Sequence, residues 1–281
     1  MLGAPSQAST GFALGAVFAW GTSDFVGGYA VRRANAFVLT AIAHASGGLL
    51  MAGFALGLHA SFPPRASVEW ALAAGALGGV SLALFYRALA SGSMGLLAPL
   101  AAVISAGIPA GFGILTEGWP GVIPILGFLL AGLGIWLISR TDDTGRPKGL
   151  ALTLLAGLGF AGFFLCVKQA GEASALWIAT LSRSASLLFT GTIAVLASDL
   201  REITVSGIGW GIFAGCVDVS GTAFFVRATQ TGRLDTAVVL SSLYPAVTVL
   251  LAWLILREHF TRWKAIGIFA AMLAVPLIAM Q

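Results

Sequence analysis

Apolar runs of about 20 residues, the length that crosses a bilayer as a helix, alternate with short polar breaks along the whole chain. Ten runs can be marked, near 10–31, 37–57, 68–90, 93–115, 121–139, 149–170, 175–197, 206–228, 235–256 and 263–280. Each predicts a helix, because a helix satisfies its own backbone polar groups where water is absent. The breaks carry turn chemistry: Phe62-Pro63-Pro64-Arg65, Trp119-Pro120-Gly121, and the most polar stretch, 140–148, which halves the chain. Trp70, Trp119, Trp136, Trp177, Trp210, Trp253 and Trp263 fall near run ends, where an indole sits best at the headgroup level, and Trp20 alone is central.

Composition sharpens the picture. Only 9% of the 281 residues are charged and 58% are hydrophobic, whereas an ordinary globular protein is about 25% charged. A water-facing coat cannot be built from that, so the expected class is an all-α polytopic membrane protein with ten transmembrane helices. The expected location is the cell's inner (cytoplasmic) membrane. Fifteen Lys+Arg against 11 Asp+Glu leaves an excess of +4, too small to mark a nucleic-acid binder. Cys166 and Cys216 lie in separate apolar runs without CxxC or His-flanked spacing, so neither a disulfide framework nor a metal site is expected. No basic stretch precedes the first run, which contains Asp24 and exceeds a signal core, so a cleaved leader is not expected.

The two halves match one another. At an offset of 138, Gly11, Ala13, Leu14, Gly21 and Phe25 meet Gly149, Ala151, Leu152, Gly159 and Phe163. At 140, Trp70, Gly75, Phe85, Arg87, Ala88, Gly92 and Gly127 meet Trp210, Gly215, Phe225, Arg227, Ala228, Gly232 and Gly267. The reading is a duplication: 10–139 as one five-helix unit, 140–148 as linker and 149–281 as the second unit. Five is odd, so the second copy enters the membrane upside down, and inverted repeats can open a shared site to one side and then the other. Duplication that merely enlarges a bundle is the plainer alternative.

Several of these residues resemble the EamA-type branch of the drug/metabolite transporter superfamily. Trp20-Gly21-Thr22-Ser23 is similar to its first-helix signature, Phe85-Tyr86-Arg87-Ala88-Leu89 to its third-helix signature, and Phe225-Val226-Arg227-Ala228 to the second copy of the latter. Tyr244-Pro245, Leu256-Arg257-Glu258 and Gly267 resemble the ninth-helix ending and the glycine that follows. The chain departs from the pattern at Ser105, where the repeat predicts a proline that comes instead at Pro109, and at Leu115-Thr116-Glu117, a looser helix ending. The resemblance implies export or exchange of small metabolites, often amino acids, by secondary transport through a central cavity. It does not choose the substrate.

Ionisable groups inside a membrane run are costly, about 2.5–3.5 kcal/mol at the centre on insertion scales, and so mark candidate sites. Asp24 lies one helical turn after Trp20 on the same face, Asp218 is central in the eighth run, and His44 and Arg183 are repeat mates at an offset of 139. Desolvation favours a neutral carboxyl and a neighbouring guanidinium an ionised one, so an acid held between them can exchange a proton. Arg183 or His44 could hold a carboxylate; permanent pairing of an acid with Arg183 is the structural alternative. Trp20, Tyr86 and Tyr244 are candidate cavity walls. Pro245 removes a backbone donor, and with Pro99 and Pro109 it is a candidate hinge. Glycines spaced by four at Gly207, Gly211 and Gly215, and at Gly11 and Gly15, suit close helix packing. Glu117 and Glu258 are candidate caps or gate ion pairs, and Arg87 and Arg227 can reach the interface.

Connections after odd-numbered runs carry Arg32, Arg33, Arg87, Arg140, Arg146, Lys148, Arg201, Arg257, Arg262 and Lys264; those after even-numbered runs carry Arg65, Lys168, Arg227 and Arg233. The charge bias places both termini outside the cytoplasm, whereas the resemblance implies cytoplasmic termini. HExxH, GxSxG and GxxxxGK[ST] are all missing, so neither an enzyme nor an ATPase is expected, and no cofactor, catalytic residue or metal is assigned. The expected partners are a small-molecule substrate, protons, membrane lipid and, at most, a second copy of the chain. An exporter of cationic drugs that uses Asp24 and Asp218 as counter-charges is the rival transport reading. A non-transporting scaffold, with its halves packed dry, is the rival outside transport.

Overall fold

The computed structural model describes residues 7–32, 34–91, 94–139, 149–196, 205–257 and 261–279. The polar linker 140–148, Glu258 and the side chain of Pro99 lie outside the described parts. Among the described residues all regular structure is helical: α1 (Gln7–Ala30), α2 (Ala36–Gly57), α3 (Arg65–Ser91), α4 (Met94–Glu117), α5 (Val122–Ser139), α6 (Leu150–Gln169), α7 (Ala175–Leu196), α8 (Val205–Thr231), α9 (Leu234–Ser241), α10 (Tyr244–Leu256) and α11 (Arg262–Ala279). They make ten rods, the ninth being α9 and α10 end to end. Among the described residues, seven stretches are long and apolar enough to cross a membrane: 36–57, 65–91, 100–117, 150–169, 175–196, 207–231 and 234–256.

α1 is not among those seven. It carries Ser9, Ser23, Asp24 and several glycines on buried positions, because its partners are helices and not lipid. It lies antiparallel against α8: Ser9 Oγ donates to the Ala228 carbonyl at 2.9 Å near one end, and the Tyr29 ring meets Trp210 edge-on at 6.1 Å near the other. The remaining major pairings are α3 with α6, α2 with α7, α5 with α11, α2 with α8, α3 with α7, α4 with α6 and α1 with α10. Glycine permits two of these approaches. A Cβ on Gly75 would lie 2.0 Å from the Ser182 carbonyl oxygen, and one on Gly215 would lie 2.1 Å from that of Ala43, so α3–α7 and α8–α2 touch backbone to backbone.

The ninth rod breaks at Ser242 and Leu243, and Pro245 falls in the first turn of α10, where a missing N–H costs nothing. The sequence flags this proline; the result is a two-residue turn in right-handed backbone that leaves α9 and α10 end to end. α4, its counterpart in the first half, runs unbroken through the buried Pro109. Outward positions are large and apolar, among them Phe112, Leu115, Leu126, Leu129, Phe269 and Met272, as a hydrocarbon-facing surface requires.

Candidate functional site

Polar chemistry concentrates where α1, α7 and α8 come together. Arg183 of α7 is 5% exposed, as are Asp24 of α1 and Asp218 of α8. Arg183 Nη2 lies 2.8 Å from Asp218 Oδ2 and also donates to Thr222 Oγ1. Thr222 follows Asp218 by one helical turn, so a single face of α8 presents both acceptors. Arg183 Nη1 is 3.5 Å from Nδ1 of His44. Among the described residues, Arg183 Nε is buried without a hydrogen-bond partner. Asp24 has no hydrogen bond or ion pair among the described residues, and Asp218 is near enough to act on it electrostatically.

These groups border a cavity lined by Trp20, Asp24, Ser105, Phe160, Phe163, Phe164, Arg183, Asp218, Thr222 and Tyr244, together with Gly78 and Leu82. Its walls come from both halves of the chain. Trp20 packs against Phe225 at 5.5 Å and Phe164 at 5.7 Å and meets Tyr244 edge-on at 6.4 Å, an aromatic cluster beside the two carboxyls. About 50 Å³ is open to water centres, enough for a few waters at roughly 10–15 Å³ each. Metabolite pockets run to about 300 Å³ or more, so the cavity in this form is too small for a metabolite.

The sequence-derived candidates divide cleanly. Trp20, Asp24, Arg183, Asp218 and Tyr244 all reach the cavity. His44 stands behind Arg183, 1% exposed, and does not line it. Tyr86 is also set back: its hydroxyl is 3.0 Å from Ser23 Oγ, and its ring occupies the space that a side chain on Gly27 would need. Pro245 marks the break in the ninth rod, and Pro109 sits within a continuous helix. Thr222, Ser105 and the α6 phenylalanines line the cavity without having been singled out as walls. The Asp218–Thr222 spacing of four was the signal for the first.

A second cluster lies at the face where α1 begins. Glu117 Oε1, at the end of α4, is 2.7 Å from Lys168 Nζ at the end of α6. Glu117 Oε2 accepts from the Leu234 backbone N–H at 2.9 Å, capping α9 as an acid at a helix start should. Arg233 donates to the Glu117 and Gly118 carbonyls and pairs with the fully buried Asp235 at 2.8 Å. That hydrogen bond to Asp235 is the first cause that holds the Arg233 guanidinium above its usual pKa, and the charges of Asp235 and Glu117 add to it. The cluster ties α4 to α6 and α9. It was foreseen only in Glu117.

Together, the rods, their apolar exterior and the buried polar centre define an all-α, multi-pass membrane protein. Residues 147–280 match the EamA-like transporter family. A stretch of 69 residues is 33% identical to an uncharacterized membrane protein of Saccharomyces cerevisiae, covering 25% of this chain and 17% of the yeast protein. A crystal structure of a protein superposes with a TM-score of 0.75 at 16% identity, covering 96% of each chain. That likeness concerns the fold alone.

Proposed function

We propose that this protein is a secondary active transporter of a small amine-bearing metabolite, an amino acid or a related solute, working by alternating access. In this reading 10–139 and 149–281 are inverted five-helix repeats joined by 140–148, in the cytoplasmic membrane. The packing supports it, since exchanging the halves interchanges the major pairings: α1 on α8 becomes α6 on α3, α2 on α8 becomes α7 on α3, and α1 on α10 becomes α6 on α4. The pairs α2–α7 and α5–α11 map onto themselves. A cavity walled by both halves is the seam that such a mechanism opens and closes. A dry scaffold has no use for charged groups there.

The observation that carries the substrate class is the unequal state of the two acids. Asp218 has Arg183 as partner, while Asp24 faces the same cavity with none among the described residues. With both acids ionised the trio bears one net negative charge. A proton on Asp24, or an ammonium group beside it, restores neutrality, which burial strongly favours. Proton and substrate then compete for one carboxyl, so a pH gradient drives flux. The aromatic walls would take the apolar body of an amine, and a cationic face suits them as well; this favours organic cations as the second reading. A substrate carboxylate, by contrast, must displace Asp218 from Arg183.

Reconstitution into liposomes with labelled amino acids and organic cations, with and without a pH gradient, tests the proposal. Gradient-driven flux of amine-bearing solutes that Asp24→Asn abolishes is the expected result. Full pH-driven flux in both Asp24→Asn and Asp218→Asn would remove the acids from the mechanism. Amines without a carboxylate moving as fast as amino acids would select the second reading.

A further inference from the structure

The central cavity is chemically lopsided. At the offset of 140 that matches the halves in sequence, Asp218 and Thr222 of α8 are the mates of Gly78 and Leu82 of α3, and all four line the cavity. Where one half presents a carboxylate and a hydroxyl, the other presents bare backbone and an alkyl chain. The bare spot is covered from α6, which packs along α3: a Cβ on Gly78 would lie 2.9 Å from Cδ2 of the Phe163 ring and 3.5 Å from its Cβ. Phe163 lines the same cavity.

Gly75, Gly78 and Gly79 lie close together on α3 and are not equivalent. The first and last face the backbone of α7, at Ser182 and at Ser186, whose Cα would lie 2.6 Å from a Cβ on Gly79. Such glycines let helices touch. Gly78 meets a side chain instead, and a ring can turn about χ1 where a backbone cannot step aside. Phe164 flanks the ring at 5.6 Å and is itself wedged against Trp20 and Phe225, at 5.7 and 4.8 Å. The free volume beside Phe163 is the cavity. We infer that Gly78 is a specificity-determining position: having no side chain, it lets the Phe163 ring lie back on α3, and that ring sets how large an apolar body can accompany the charged end of a substrate. The inference rests on the amine reading of this cavity and adds where the uncharged part of the solute lies, against α3 and α6, away from the charged groups of α1, α7 and α8.

The test is calorimetric binding of ethylamine, butylamine and hexylamine to the purified full chain in detergent, a series that shares one ammonium group and differs only in apolar length. Gly78→Ala should weaken hexylamine about tenfold or more and ethylamine by less than about twofold, since a methylene of difference in an apolar pocket discriminates by that order. Phe163→Leu should act in the opposite direction, raising the affinity for hexylamine relative to ethylamine, and it tests the same wall should Gly78→Ala fail to fold. Adding Phe163→Leu to Gly78→Ala should restore hexylamine binding. Gly79→Ala, set against the α7 backbone, should lower the melting temperature and leave the ratio of the two affinities unchanged. Equal weakening of ethylamine and hexylamine in Gly78→Ala, or an unchanged ratio in both Gly78→Ala and Phe163→Leu, would overturn this inference and leave the amine site standing. Absence of amine binding by the unsubstituted protein would overturn both.

Discussion

The guanidinium of Arg183 and the carboxylate of Asp218 meet 2.8 Å apart, with side chains only 6% and 7% exposed, so each charge would keep little solvation when the other is removed. Breaking a buried pair from one side costs about 3–5 kcal/mol, while replacing both partners by apolar groups of similar volume is often neutral. Asp218→Leu and Arg183→Met are each expected to lower stability by that order, and the double variant by far less than their sum. Unfolding of the purified protein against SDS, run as a double-mutant cycle, measures the coupling. Additive losses would show that the two charges do not depend on one another.

Asp24 is expected to behave in the opposite way. It has no hydrogen bond or ion pair among the described residues, and it lies within electrostatic reach of a second acid, so Asp24→Asn removes a buried charge without stranding a partner. Thermal stability should hold or rise, while pH-gradient-driven flux into proteoliposomes falls to the level of empty liposomes. Retained flux with raised stability would make Asp24 a structural liability and not a coupling group.

The rods were legible because run length and hydropathy act locally: each marked run lies within a few residues of a helix in the structure. The charged centre was legible for the same reason, since Asp24, Arg183 and Asp218 are expensive wherever they sit in a membrane run. What each side chain faces depends on contacts between distant helices. Tyr86 looks like any aromatic wall in sequence, and only the bare surface at Gly27 explains why its ring turns there. Thr222 passed unnoticed because a helical threonine usually bonds its own preceding turn, and here it also receives Arg183. The break at Ser242–Leu243 announced itself through Pro245 as a weakness, but whether a proline kinks a helix or separates two is decided by what packs against it.

Gly75 and Gly215 set the spacing of α3 against α7 and of α8 against α2. A methyl at either position would run into a carbonyl oxygen, of Ser182 or Ala43, and backbone cannot step aside as a side-chain tip can. Gly75→Ala and Gly215→Ala should each cost about 1–3 kcal/mol as overpacking, outweighing the helix-propensity gain of roughly 1 kcal/mol. Gly53→Ala, with nothing within 4 Å of the added carbon, should be neutral or stabilising. Ser182 adjoins Arg183, so Gly75→Ala should also lower transport at temperatures where the protein stays folded. Thermal melts in detergent and flux at two temperatures separate the two effects.

The Glu117–Lys168 pair is the most accessible point at which to unlock the face where α1 begins. Its side chains are 21% and 32% exposed, so the pair itself contributes at most about 1 kcal/mol. Glu117 also caps α9 through Leu234 N and so joins α4 to both α6 and the ninth rod. Glu117→Gln should therefore barely move the melting temperature while shifting the molecule toward opening at this face. Ser105, which lines the cavity on α4, is a suitable reporter: with Cys166 and Cys216 replaced by Ala, Ser105→Cys should react slowly with a membrane-impermeant thiol reagent applied to that face, and several times faster once Glu117→Gln is added. The acceleration should be absent when the reagent is applied to the opposite face. An equal gain from both faces would mean that the substitution loosens the bundle as a whole, and no gain would mean that the Arg233–Asp235 bonds alone keep this face shut.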